Sequence, residues 1–172
     1  MSHEKYKYCI DRIYRKYKHI KMVENSKTEG FSEYLLDDVA LQLRKMVEFL
    51  LLGLGIVHRE AFVRAQNYFE FNCSGKGLFG ILGKVDNAYF PISTTGKGKL
   101  NKQKLHNIFE VSSHILHITN PFLIKTQKNI DRKIVKMFGL ADQMVQILDS
   151  HSVKLYNGEI LAYNRPESSD KS

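Results

Sequence analysis

The sequence predicts a mainly α, single-domain helical bundle closed by a short C-terminal β-hairpin. Three observations predict it. Apolar residues recur at three- and four-residue steps through several long stretches, Val153-Lys154-Leu155-Tyr156 then alternates, and Asn157-Gly158 separates it from the return run Ile160-Leu161-Ala162-Tyr163. At 172 residues with 43% hydrophobic side chains, the chain can bury one ordinary core and is short for two. A single domain is expected over 1–163, with the hairpin at about 153–163 and a disordered polar tail over 164–172.

The first helix is expected from about Glu4 to Val23. Tyr6, Cys9, Ile10, Ile13, Tyr17 and Ile20 line one face, while Lys5, Arg12, Arg15, Lys16, Lys18 and Lys21 take the rest, making it strongly basic. The turn formers of 24–30 predict a loop, and a second helix starts near Ser32. Its apolar positions Leu35, Leu36, Val39, Leu43, Met46, Val47 and Leu50, followed by the continuous run after Phe49, make it the central helix, with a weakening expected between Gly53 and Gly55. A helical pattern resumes over 59–71, and Leu78 to Leu82 predicts a short apolar helix. Tyr89-Phe90-Pro91-Ile92 is expected to be extended, because the residue before a proline is pushed out of the helical region. A basic flexible loop follows from Ser93 to Lys102, then a helix from Gln103 to Thr119 and another within Phe122 to Ser150.

Twenty-six Lys and Arg against eighteen Asp and Glu give a formal charge of +8 and favour anionic partners such as RNA, DNA or an acidic protein. Cys9 and Cys73 lie far apart without metal-ligand spacing, so reduced buried thiols are expected rather than a disulfide or zinc framework. No secretory signal opens the chain and its longest apolar run is far short of the roughly 20 residues of a membrane span, so a soluble, cytoplasmic protein is expected. Ser74-Gly75-Lys76-Gly77 and Thr95-Gly96-Lys97-Gly98 lack the spacing of a phosphate loop, and neither HExxH nor Gly-x-Ser-x-Gly occurs. No cofactor or metal is expected.

Two places remain for chemistry. His117, in Leu116-His117-Ile118-Thr119-Asn120-Pro121, ends an apolar helix face at a helix-stopping proline. Its imidazole is either a helix C-terminal cap or a working acid or base. On the second helix, Arg44 and Glu48 have the spacing of an intrahelical ion pair. They form either an exposed pair or one that looks inward to meet the His117 to Asn120 turn.

Leu43-Arg44-Lys45-Met46-Val47-Glu48-Phe49, the run Gly80 to Ile92, Leu116 to Phe122 and His151 to Gly158 occur in the order of an LRKxxE helix, an xLxKxNPxxYP segment, an LHxxNP helix end and a closing HxxxLxxG hairpin. In these segments the chain resembles HEPN-like helical proteins of prokaryotic defence and toxin-antitoxin islands, over about 38–158. The resemblance implies an all-helical bundle, often dimeric, and in active members a metal-independent endoribonuclease. There a phosphate-binding Arg, or sometimes Asn, precedes the acid/base His with about four to six residues between them. Counting back from His117, the matching positions hold Glu110, Val111 and Ser112, so the motif is degenerate and Arg44 is the residue expected to supply the cation in space. Arg12 to His19 and Asn107 to His114 have the bare spacing.

On this resemblance the candidate catalytic residues are His117 as acid/base, Arg44 on phosphate, and Glu48 and Asn120 orienting. Lys97, Lys99, Lys102, Lys104 and Arg15 are the candidate nucleic-acid-binding residues. The partners expected are RNA or another polyanion, a second copy and a partner defence protein, with no membrane. The alternatives to an endoribonuclease are a noncatalytic nucleic-acid-binding module and an interaction subunit of a defence complex.

Overall fold

The computed structural model describes residues 2–26, 31–58, 87–117 and 126–166. Among them are four helices, α1 (Ser2–Asn25), α2 (Glu33–Val57), α3 (Lys102–His117) and α4 (Gln127–Leu148). A small sheet is made by β1 (Ile92–Ser93), β2 (Ser150–Lys154) and β3 (Ile160–Asn164). The chain is thus mainly α with a short C-terminal hairpin. The helical stretches expected over 59–71 and 78–82 lie outside the described residues, as do Cys73, Asn120 and Pro121. No described helix is long and apolar enough to cross a membrane.

Ser32 starts α2 as an N-cap. Its Oγ accepts the Leu35 N–H at 3.2 Å and so satisfies one of the donors that a helix start leaves without a partner. From there the 3.6-residue period turns Leu36, Val39, Leu43, Met46, Val47, Leu50 and Leu54 into the core, and α2 packs against all three other helices. It is the central helix, as its sequence predicts. Where a weakening is expected, however, it runs unbroken through Gly53 to Val57.

Gly53 is there for the close approach of α1. A Cβ built on it would lie 3.1 Å from Tyr6 Cδ2 and 3.2 Å from Cys9 Cβ. Alanine gains up to about 1 kcal/mol in helix propensity over glycine, while forcing a methyl into a filled core costs about 1–3 kcal/mol. We therefore expect Gly53→Ala to lose up to about 2 kcal/mol in urea unfolding. A variant at least as stable as the parent would show that α1 can move off α2 without penalty.

Tyrosines tie α1 to the C-terminal end of α4 and the sheet behind it. Tyr6 Oη lies 2.8 Å from His151 Nε2, Tyr14 donates to Asp149 Oδ1 at 3.0 Å, and Tyr17 donates to Asp142 Oδ1 at 2.7 Å. As the α1 numbers rise the partner numbers fall, so the two helices run antiparallel. The start of α4 is pinned separately. Asp131 accepts the Phe31 N–H, Gln127 donates to the Phe31 carbonyl, and the buried Phe31 ring meets Phe138 edge-on at 5.5 Å.

The sheet has the order β1-β2-β3, antiparallel throughout, with Ile92 opposite Ser152 and His151 opposite Tyr163. Strand alternation puts His151, Val153 and Tyr163 on the buried face. The expected hairpin is present, but its loop is not the two-residue Asn-Gly turn. Leu155 N–H reaches Glu159 O at 2.7 Å and Gly158 N–H reaches Leu155 O at 3.0 Å, leaving Tyr156-Asn157-Gly158 as a three-residue loop. Only Gly158 has positive φ, at 87°, as a type I turn followed by a left-handed residue requires.

Candidate nucleic-acid interface

Positive charge is concentrated between β1 and the first turn of α3. Lys97, Lys99, Lys102 and Lys104 are all exposed within this stretch of eight residues. The segment is a built turn, in contrast to the flexible loop that its composition predicts. Ser93, 8% exposed, accepts the N–H groups of Thr95 and Lys97 on its Oγ at 3.2 and 3.3 Å, and its own N–H reaches the Gly98 carbonyl at 2.9 Å. Gly96 and Gly98, with φ of 76° and 100°, supply the left-handed backbone that closes it. Buried Leu100 then returns the chain, donating to Pro91 O at 2.9 Å, and Lys99 bridges Ile92. The glycines and the serine thereby hold Lys97 in a fixed frame, with Lys99 at its exit.

Asn101 caps α3, its Oδ1 accepting the Lys104 N–H at 2.8 Å, and Lys104 Nζ donates to Lys99 O at 3.0 Å. No acidic residue occupies the first turn of α3. Two lysines at the positive end of a helix dipole each work against helix stability by a few tenths of a kcal/mol. The placement raises the local positive potential at some expense to the fold. Arg15, on α1, is exposed as well.

The second group of candidates is distributed differently. Arg44 Nε donates to Glu48 Oε1 at 3.1 Å, and Lys45 Nζ donates to Glu48 Oε2 at 2.7 Å. The Glu48 side chain is 12% exposed and that of Arg44 25%, so the pair lies between the exposed and inward alternatives. The Arg44 guanidinium sits 4.9 Å from the centroid of Phe109 on α3. His117 is the last residue of that helix. It lies eight positions beyond Phe109, about 12 Å along the axis. Arg44 and Glu48 are thus brought together with each other and with Phe109, and Asn120 lies outside the described residues. Ser112, at a position where the resemblance puts the cation, is buried and donates to Ile108 O and Phe109 O. Of the bare-spacing pairs, Arg12 stacks over Phe49 at 5.4 Å and His19 bonds Asp38 at 2.6 Å, while Asn107 and His114 are exposed on α3.

Two buried histidines, His58 and His151, stand outside the candidate site residues of the sequence. His151, 0% exposed, has Nδ1 2.8 Å from the Leu148 carbonyl and Nε2 2.8 Å from Tyr6 Oη. A carbonyl only accepts, so Nδ1 carries the proton and Tyr6 donates to Nε2. Burial holds the His151 pKa below its ordinary value against the opposing effect of the Leu148 carbonyl. His58, 2% exposed at the C-terminal cap of α2, donates from Nε2 to Tyr89 O at 3.3 Å, and burial lowers its pKa too. On α1, beside Gly53, burial pushes the Cys9 thiol up to about 11, which leaves it almost wholly protonated at neutral pH. Among the described residues no three His, Cys, Asp or Glu side chains gather as a metal site.

Compared with known proteins, the chain matches no family model, no curated protein and no solved structure.

Proposed function

We propose that this chain is an HEPN-like, RNA-acting protein that works by binding the polyanion through the lysine turn between β1 and α3. The observation that carries the reading is the frame itself. Four exposed lysines follow one another closely, Lys97 and Lys99 on a turn fixed by Ser93, Gly96 and Gly98, and Lys102 and Lys104 at the positive end of α3. A net charge of +8 supports it from the composition side. Binding is favoured over cutting because Arg44, the cation that a cutting site at His117 would borrow, is committed to Glu48 and Phe109. Toxin or defence-complex membership follows the resemblance and belongs to the same proposal.

The test is retention of labelled RNA by fluorescence anisotropy over a salt series, in excess EDTA, with the products checked on a denaturing gel. Wild type should bind with a steep salt dependence. In Lys97→Gln/Lys99→Gln/Lys104→Gln, the slope of log affinity against log salt should fall by about 2–3, at about 0.7–0.9 for each phosphate no longer neutralised. An unchanged slope would place the interface elsewhere. EDTA-resistant cleavage that disappears in His117→Ala would replace this reading with the endoribonuclease.

A further inference from the structure

An aromatic edge borders the lysine turn. Tyr156 is 66% exposed at the start of the β2–β3 loop. Behind it stands Tyr89, half-buried, with ring centroids 6.5 Å apart and planes tilted by 42°. Tyr89 in turn meets the buried ring of His58 edge-on at 5.2 Å, and His58 also holds the Tyr89 carbonyl. His58 is anchored to the end of the central helix by its N–H to Leu54 O at 3.0 Å. An exposed ring is therefore backed by a second ring, and the second is fixed to the core.

Register places this edge beside the lysines. Ile92 lies between Ser152 on one side and Lys99 on the other. The return stays beside this segment for one further step, where the Leu100 N–H donates to Pro91 O at 2.9 Å, and Tyr89 ends the 3-10 turn (Asn87–Tyr89) that precedes it. The segment from Tyr89 to Ile92 is thus flanked by Tyr156 and β2 on one side and by the lysine-bearing return on the other. On the same outward face Ile92 of β1 and Ile160 of β3, 43% and 70% exposed, add single apolar side chains on either side of β2.

We propose that this surface is a platform for single-stranded nucleic acid, one base stacking on Tyr156 while the adjoining phosphates run over the lysine turn. The inference rests on the polyanion reading above and names its substrate class. A duplex hides the faces of its bases and could use only the lysines. A single strand offers both a π-face and a phosphate, the two groups that Tyr156 and the lysines complement. Nothing in the arrangement reads base edges, so the platform is tolerant of sequence.

The experiment uses the full chain with a fluorescein-labelled RNA of about 12 nucleotides, within the size range of stacking platforms, and the same strand annealed to its complement. Wild type should hold the single strand more tightly than the duplex. Tyr156→Ala should weaken the single strand by about 5- to 140-fold, the range for loss of one stacked base, and leave the duplex unchanged. Tyr156→Phe, which keeps the ring, should bind as wild type does. Tyr34→Ala serves as the control, being 79% exposed near the opposite end of α2 from His58, about 35 Å along the axis. Equal binding of both RNA forms, with Tyr156→Ala harmless and the lysine variant defective, would overturn the stacking platform and leave the basic turn standing. Failure of wild type to hold either form at low salt would overturn the polyanion reading and the platform with it.

Discussion

Acidification below about pH 6.5 is expected to erode the stability of this fold steeply, because both buried histidines are held neutral. Burial lowers the pKa of His58 and of His151, against smaller opposing effects of the Tyr89 and Leu148 carbonyls. The unfolded chain therefore takes up these protons first as the pH falls. The contribution is fully present above the unfolded value of about 6.5 and is lost from there down through the folded values. Each histidine protonated only in the unfolded state lowers stability by about 1.36 kcal/mol per pH unit, so two give a slope of up to about 2.7. Asp38 adds to the loss at lower pH. Burial raises its pKa, but hydrogen bonds from His19 and Gln42 outweigh that and hold it below the usual carboxylate value. Urea midpoints measured at about half-unit steps from pH 7.5 to 5 would read the slope. A flat profile would mean that both imidazoles can be charged inside the fold.

Tyr6→Ala is expected to remove about 3–5 kcal/mol, the range for truncating a large buried aromatic side chain. Three interactions concentrate the effect in this residue. Its ring fills the space left by Gly53, its hydroxyl donates to His151, and it meets the His151 ring edge-on at 5.9 Å. Burial raises the Tyr6 pKa, with smaller contributions from Cys9 and Tyr163, so the hydroxyl stays protonated and able to donate. Tyr6→Phe separates hydroxyl from ring. It leaves His151 Nε2 buried without its donor, which costs about 1–3 kcal/mol. Denaturant unfolding of both variants measures the two parts, and a Tyr6→Phe variant as stable as wild type would show that another group or water satisfies Nε2.

The helices were legible because their burial follows period. Leu36 to Leu54 reads directly as the central core face, and Ser32 announces its own cap. The Arg44 to Glu48 spacing foretold an ion pair that forms, though spacing could not show that Phe109 would cover the guanidinium. Asn157-Gly158 located the hairpin but not its loop length, since that depends on which residue takes the left-handed backbone. The extended stretch expected over Tyr89 to Ile92 holds at Ile92, in β1, whereas Tyr89 ends a 3-10 turn, and the pairing of β1 was hidden because its partner lies beyond two helices. His151 was within reach. Carrying the alternation of Val153 and Leu155 back by one step puts it on the buried face. Tyr6, by contrast, looked like any other apolar-face residue, because a hydroxyl's partner is set by tertiary packing alone. The lysine turn was visible as charge, whereas its order depends on Ser93 hydrogen bonds that composition cannot convey.

The Tyr6 to His151 bond spans 145 residues of chain. At synthesis rates of about 5–20 residues per second, α1 leaves the ribosome roughly 7–30 s before the strand that completes its packing exists. During that interval a basic amphipathic helix has α2 to lean on, but no acceptor for Tyr6 and neither aspartate for Tyr14 and Tyr17. The nascent chain thus carries an unfinished seam whose closure must await nearly the last strand, and a ribosome stalled before His151 would hold a folding intermediate with its first helix only half seated.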